Sequence, residues 1–229
     1  MTLLRFDAVG KTYPGGRRAL DALSFGVQAG EMVFVTGHSG AGKSTLLKLA
    51  HLSERPSRGA VWFDGRNLAQ VHGGQVAKHR RRIGVVHQDH CLLLERSVHD
   101  NVALPLLIAG LSPAAIRQRV QHALDSLGLA ARAGDNAAAL STGEQQRVGI
   151  ARAMAVQPAL LLADEPTGNL DPGLAAEIMQ MLVGLCAQGT AVVIASHDLA
   201  LVKRMRKRVL VIDQGRLTDD ISPEDLADV

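Results

Sequence analysis

Aromatic side chains make up only 3% of this 229-residue chain, so its core must be built mainly from Leu, Val, Ile and Ala. Two cysteines, Cys91 and Cys186, are too few for a disulfide framework and point to a reducing cytosol. No apolar run approaches the roughly 20 residues that span a bilayer. The best candidate, Val102 to Ala109, is far shorter. The opening MTLLRFDAVGKTY lacks the apolar centre of a signal peptide, so any membrane role is expected to be peripheral. Excess charge is missing too: the net is +3, and no nucleic acid is expected as a partner. Repeats, low-complexity tracts and long linkers are also absent from the sequence. What remains, 47% apolar, fits one or two compact domains of α/β type.

The chain is organised around Met32 to Leu49. Met32, Val33, Phe34 and Val35 read as a buried strand, and Leu46, Leu47 and Leu49 as the start of an apolar helix. Between them Gly37-His38-Ser39-Gly40-Ala41-Gly42-Lys43-Ser44 fits G-x-x-x-x-G-K-[ST], with Thr45 following. The glycines let the backbone turn successive N–H groups toward phosphate oxygens, and the helix adds the positive end of its dipole. Lys43 is placed to reach the β- and γ-phosphates and the Ser44 hydroxyl to ligate Mg²⁺. A plain Gly-rich turn would need neither flank, so the stretch reads as a nucleoside-triphosphate site. No Asn-Lys-x-Asp guanine-recognition motif accompanies it.

Leu3 to Val9 and Ala22 to Val27 read as strands around the loop Tyr13-Pro14-Gly15-Gly16. Tyr13 either stacks on an adenine or covers the core. Ala60 to Phe63 is a strand ending at the hairpin signal Asp64-Gly65. The basic run Lys78 to Arg82 leads into the strand Ile83 to Val86 and is either a phosphate or lipid contact or a solvated helix face. His87 to Cys91 holds potential metal ligands without the second pair of a finger-like site. Beyond it Val98 to Ile108 is apolar, Ser112-Pro113 opens a helix, and Ile116, Val120, Leu124 and Leu127 mark its buried face up to Gly128. Ser141 and Glu144 have the spacing of a capping box, which marks either an ordinary helix start or a second anion-receiving N-terminus. Leu160 to Ala163 is an apolar strand delivering Asp164, suited to Mg²⁺ through water, and Glu165, suited to deprotonate an attacking water. Thr190 to Ala195 is another buried strand, followed by His197, which either contacts the γ-phosphate or orients Glu165. Lys203 to Arg208 is expected on the wet side of a helix.

In this order the pieces resemble the ATP-binding subunits of ABC systems, over nearly the whole chain. The resemblance makes Tyr13 the adenine-stacking aromatic and Gly37 to Ser44 the Walker A loop. Gln88 becomes the Q-loop glutamine, catalytic and metal-ligating, and Leu140 to Glu144 the signature, with Ser141 and Gly143 as phosphate contacts. Asp164 and Glu165 correspond to Walker B and its catalytic glutamate, Asp171 to the D-loop aspartate and His197 to the switch histidine. It implies ATP and Mg²⁺ as cofactors and an α/β P-loop NTPase (RecA-like) core, with an N-terminal antiparallel β region and an inserted helical subdomain. The core is expected at 1–88 and 158–229 and the helical insert at 89–157.

In that family two subunits close head to tail, each ATP lying between one Walker A loop and the other subunit's signature. The stretches 36–49, 88–90, 100–110, 143–153 and 161–171 are most similar to the family's bacterial cell-division branch. That branch implies a peripheral ATPase on the cytoplasmic face of the inner membrane, with an integral membrane partner and other division proteins in reach. Lipoprotein-releasing and macrolide-export ATPases share much of the same wording, and a scaffold with little need for turnover is a further alternative. DNA-repair and chromosome-organising ABC proteins carry coiled-coil arms, zinc insertions or tandem domains that this sequence lacks. One departure stands out: the signature usually has glycine at Thr142. Its β-carbon is expected either to crowd the γ-phosphate or to raise the local backbone cost, slowing closure or turnover.

Overall fold

The computed structural model of the chain describes residues 2–168 and 170–225, so Asn169, within the Walker B-to-D-loop stretch, lies outside the description. Strands β1 (Thr2–Thr12) and β2 (Arg18–Gln28) pair antiparallel, and β3 (Met32–Thr36) follows, buried on both faces. After α1 (Lys43–Ala50) come β4 (Arg58–Phe63) and the short β5 (Arg66–Asn67), joined through Asp64 and Gly65 at φ of 50° and 72°. These two left-handed residues are what a tight two-residue hairpin requires. Next are α2 (Gly74–Arg80) and β6 (Ile83–Val86), then three helices in succession: α3 (Val98–Ile108), α4 (Pro113–Ser126) and α5 (Thr142–Ala155). The chain finishes with β7 (Leu160–Asp164), α6 (Pro172–Ala187), β8 (Ala191–Ala195), α7 (Leu199–Met205), β9 (Arg208–Asp213) and β10 (Arg216–Ile221).

Two sheets result. One is antiparallel, in the order β2-β1-β4-β5; the other runs β10-β9-β3-β8-β7-β6 and is parallel except for the β9–β10 hairpin. Because side chains alternate along a strand, the central strands feed two separate cores. Phe34, Leu161, Ala163, Val192 and Ile194 face the core shared with α3, α4, α5 and α6. Val33, Val35, Leu160, Leu162 and Val193 face the core shared with α1 and the antiparallel sheet. Each fully buried Leu, Val or Phe contributes about 1.5–3 kcal/mol of transfer free energy.

The sequence underestimated β1 and β2, whose alternation is broken by bulges where Ala8 and Ala22 adopt φ of 47° and 55°. Thr190 falls just outside β8; its hydroxyl donates to the Pro158 carbonyl at 2.9 Å instead. The run Lys203 to Arg208 is not one wet helix face. α7 stops at Met205, Arg206 turns left-handed, and Arg208 opens β9, where Glu31 and Asp220 pair with it. The earlier run, Lys78 to Arg82, is exposed along the end of α2 and just beyond it, except for His79, which is buried edge-on to Phe63.

Candidate functional site

The parallel strands β3, β8, β7 and β6 end on one edge of their sheet, and most residues singled out from the sequence meet there. Ser39, Gly40, Gly42, Lys43, Ser44, Thr45, Gln88, Asp164, Glu165 and His197 line a single cleft of about 410 Å³. The loop after β3 depends on glycine at two points. Gly37 and Gly42 have φ of 147° and 116°; a Cβ on the first would collide with the Ile212 carbonyl, and on the second would stand 2.6 Å from the Ala19 carbonyl oxygen. Gly42 is also the N-cap of α1 and offers no capping side chain. The first N–H to bond back into the helix is that of Leu46, to the Gly42 carbonyl at 2.9 Å. The N–H groups of Lys43, Ser44 and Thr45 are therefore left for an anion. Lys43 Nζ meanwhile donates to the carbonyls of Gly37 and His38, at 2.7 and 3.1 Å.

Across the cleft, Glu165 turns left-handed at φ 51° and its N–H donates to the Ala195 carbonyl on β8 at 2.9 Å. Its Oε1 accepts from the His197 N–H at 3.0 Å and from His197 Nδ1 at 2.6 Å, and Oε2 accepts from the Ser196 hydroxyl at 3.4 Å. A carboxylate only accepts, so Nδ1 carries the ring proton and Nε2 is left for another group. Ser196 was not singled out from the sequence; a buried hydroxyl closing an all-apolar strand beside a histidine was the available signal. Behind Glu165, buried Gln146 of α5 donates to the Pro166 carbonyl at 2.8 Å. Beside Gln88, desolvation and then the charge of Arg152 lower the pKa of His87.

Ser44, Gln88 and Asp164 bring hard oxygen donors to the cleft, the kind Mg²⁺ prefers, but only Asp164 among them is a carboxylate. No group of three His, Cys, Asp or Glu fit to hold a metal occurs among the described residues. Such a set suits a cation that arrives with phosphate oxygens and keeps some of its water.

Seven of the chosen residues do not line the cleft. Ala41 is buried, and Gly37 acts through its turn and carbonyl. His38 points away, its Nε2 3.0 Å from Asp213. Tyr13 stands over the start of α1, its hydroxyl 3.4 Å from the Thr45 hydroxyl and its ring flanked by Lys11 and Arg17 at 4.9 and 5.3 Å. Asp171 caps α6, accepting from the N–H groups of Gly173 and Leu174 at 3.0 Å. Ser141 and Gly143 lie at the N-terminus of α5, where the capping box forms. The Ser141 hydroxyl donates to Glu144 Oε2 at 2.8 Å and accepts from the Glu144 N–H at 3.3 Å. The bonds from Ser141, and then Arg132, hold the Glu144 carboxyl below its ordinary pKa. Thr142 is exposed and has the ordinary helical conformation of a first-turn residue. The expected backbone cost of its side chain is thus absent, and only the crowding argument survives.

A family model described as ABC transporter matches residues 20–168, more than half of the chain. The chain belongs to the ABC transporter family. It is 50% identical to the cell division ATP-binding protein FtsE of Escherichia coli strain K12, over 97% of this chain and all of that protein. The methionine import ATP-binding protein MetN of Caulobacter vibrioides is 41% identical over 98% of this chain and 68% of its own length. Among solved structures, a dimeric post-hydrolysis state of the ATP-binding cassette MJ0796, bound to ADP and Pi, superposes with a TM-score of 0.90 at 32% identity, covering 96% of this chain and 99% of that one. As an ABC protein the chain binds ATP and is an ATPase, and its fold is that of the ABC ATPases.

Proposed function

We propose that this ATPase is the motor subunit of a bacterial cell-division complex, a homodimer on the cytoplasmic face of the inner membrane with an integral partner of the FtsX type. The observation that carries the division reading is the 50% identity to FtsE along that protein's full length. The chain has no helix, among its described residues, long and apolar enough to cross a membrane, so its hold on the bilayer would come through the partner. An apolar groove of about 510 Å³ between α2, β6, α3 and α5 supports such a hold. Ile108 lies on it, and Leu107 and Ile108 at the end of α3 are about 60% exposed, with Leu93 and Leu94 close to half exposed.

In the proposed cycle the Tyr13 ring takes the adenine, and the free N–H groups of Lys43, Ser44 and Thr45 take the β- and γ-phosphates as Lys43 leaves its carbonyls. Ser44, Gln88 and Asp164 would hold Mg²⁺, which neutralises phosphate charge when bound. Glu165 accepts a proton from the attacking water as the new bond to the γ-phosphorus forms and the bond to ADP breaks. His197 keeps Glu165 in place through Nδ1 and offers Nε2 to the γ-phosphate. Ser141 and Gly143 complete the other subunit's site, with Asp171 at the seam between the two. Residues 1–88 and 158–229 act as the nucleotide-binding body and 89–157 as the helical unit that moves against it.

Depleting the protein in its host and restoring wild-type or Glu165→Gln copies tests the reading. Filamentous cells rescued by wild type alone are the expected result. Normal cell length with lipoproteins stranded in the inner membrane, or with a drug-export defect, would move the chain to the exporter branch. Rescue by Glu165→Gln would make it an ATP-dependent division scaffold instead.

A further inference from the structure

The loop after β6 is fastened to α5 in a way the cycle above does not use. His90 and Cys91, just beyond Gln88, have φ of 57° and 48°. Consecutive left-handed L-residues are unfavourable and persist only where their surroundings hold them. Arg152 of α5 does the holding: Nη2 donates to the His90 carbonyl at 2.6 Å and Nη1 to the Cys91 carbonyl at 2.7 Å. No carboxylate pairs with this guanidinium among the described residues, and burial lowers its pKa. A partly desolvated cation is thus committed to two carbonyls of one strained turn. Arg152 sits three helical turns from Ser141, and between them Gln146 grips the Pro166 carbonyl beside Glu165.

We propose that Arg152 is a positioning residue for the nucleotide site: its two-pronged hold on the His90–Cys91 turn sets Gln88 in the cleft and ties it to the signature helix. The proposal rests on the reading of Gln88 as a Mg²⁺ ligand. Movement of α5 on engaging the other subunit's phosphate is thereby passed to its own subunit's metal site.

Cys91 is an exposed thiol inside the clamped turn, whereas the Cys186 thiol is half-buried and pushed up to about 11 by that burial, so alkylation reports on Cys91. Two variants are compared in the full chain: Arg152→Ala, which removes the guanidinium, and Arg152→Lys, which keeps the charge but not the fork. Both are expected to speed iodoacetamide labelling of Cys91 about fivefold without nucleotide, as the turn is released. In steady-state hydrolysis kcat should fall about tenfold and half-saturating Mg²⁺ rise at least about threefold, with KM for ATP within about twofold of wild type. Gln88→Ala should raise the Mg²⁺ requirement similarly, and adding Arg152→Ala to it should change that requirement no further. Unchanged Cys91 labelling, an unchanged Mg²⁺ requirement in the Arg152 variants, or additive effects in the double variant would overturn the proposal. Gln88→Ala with wild-type Mg²⁺ dependence would instead remove the reading on which it stands. Arg152→Lys keeps the test valid should Arg152→Ala not fold.

Discussion

Two helices in this molecule, α1 and α5, begin in opposite ways. At α1 the cap is Gly42, no side chain blocks the first turn, no acidic residue lies in it, and the cleft is already lined by Lys43, Asp164 and Glu165. At α5 the cap is Ser141, closed on itself through Glu144, and its first residues lie outside that cleft. A glycine cap supplies no side-chain acceptor, so the first-turn N–H groups stay open to an anion. A capping box satisfies two donors within the chain, the N–H groups of Ser141 and Glu144, and steadies the helix start without a ligand. The first terminus opens into the cleft of its own chain; in the proposed dimer the second would stay ordered until the other subunit brings a phosphate to it.

The largest way to sharpen this contrast is at the catalytic side. Glu165→Gln removes the proposed proton acceptor while keeping its shape, so turnover should drop by about 10²–10⁴ with ATP binding retained. Phosphate release and equilibrium nucleotide binding measured together check it, and a loss of less than about tenfold would take Glu165 out of the role of base.

The preformed half also has a pH limit. At the other end of α1, burial first and then Arg80, His79 and His87 lower the pKa of His51 from its ordinary 6.5 to about 4; His79 is lowered too, mainly by burial. Between those values the unfolded chain binds a proton that the folded chain refuses. Stability is therefore full above pH 6.5 and falls as the pH drops toward 4, by about 1–2 kcal/mol for His51 once solvent screening is allowed for. Thermal melts at pH 7.5 and 5 should show the loss, and His51→Gln should flatten it; a slope unchanged by that substitution would place the effect elsewhere.

The smallest effect belongs to Thr142. With its backbone already helical, Thr142→Gly should cost about 0.5 kcal/mol of helix stability while raising kcat about twofold through less crowding. Unchanged turnover would leave the threonine without a role in pace.

Most of the cleft was legible because each of its residues follows a short apolar strand or a glycine pattern, and parallel strands deliver such ends to one edge. The capping box at Ser141 and Glu144 was equally legible, since its chemistry is local. Ser196, Gln146 and Arg152 were not, because their roles depend on partners 31, 20 and 61 to 62 residues away. The basic run from Lys203 failed for a related reason: charge pattern says nothing about where a helix of seven residues stops and a strand begins. Asp171 shows the limit from the other side: the resemblance makes it the D-loop aspartate, and its visible work in one chain is a helix cap.

The claim that each chain carries two halves of different sites is tested most directly by mixing two inactive variants. Lys43→Ala spoils the phosphate loop. Gly143→Asp places a carboxylate where phosphate should approach α5, at a position that suits a helix N-terminus and should not unfold it. Each variant alone should be inactive. In an equal mixture half of the dimers pair one of each and keep one of two sites intact, so ATP hydrolysis should return to about a quarter of wild type. A mixture as inactive as its components would contradict the account and place the whole site within one chain.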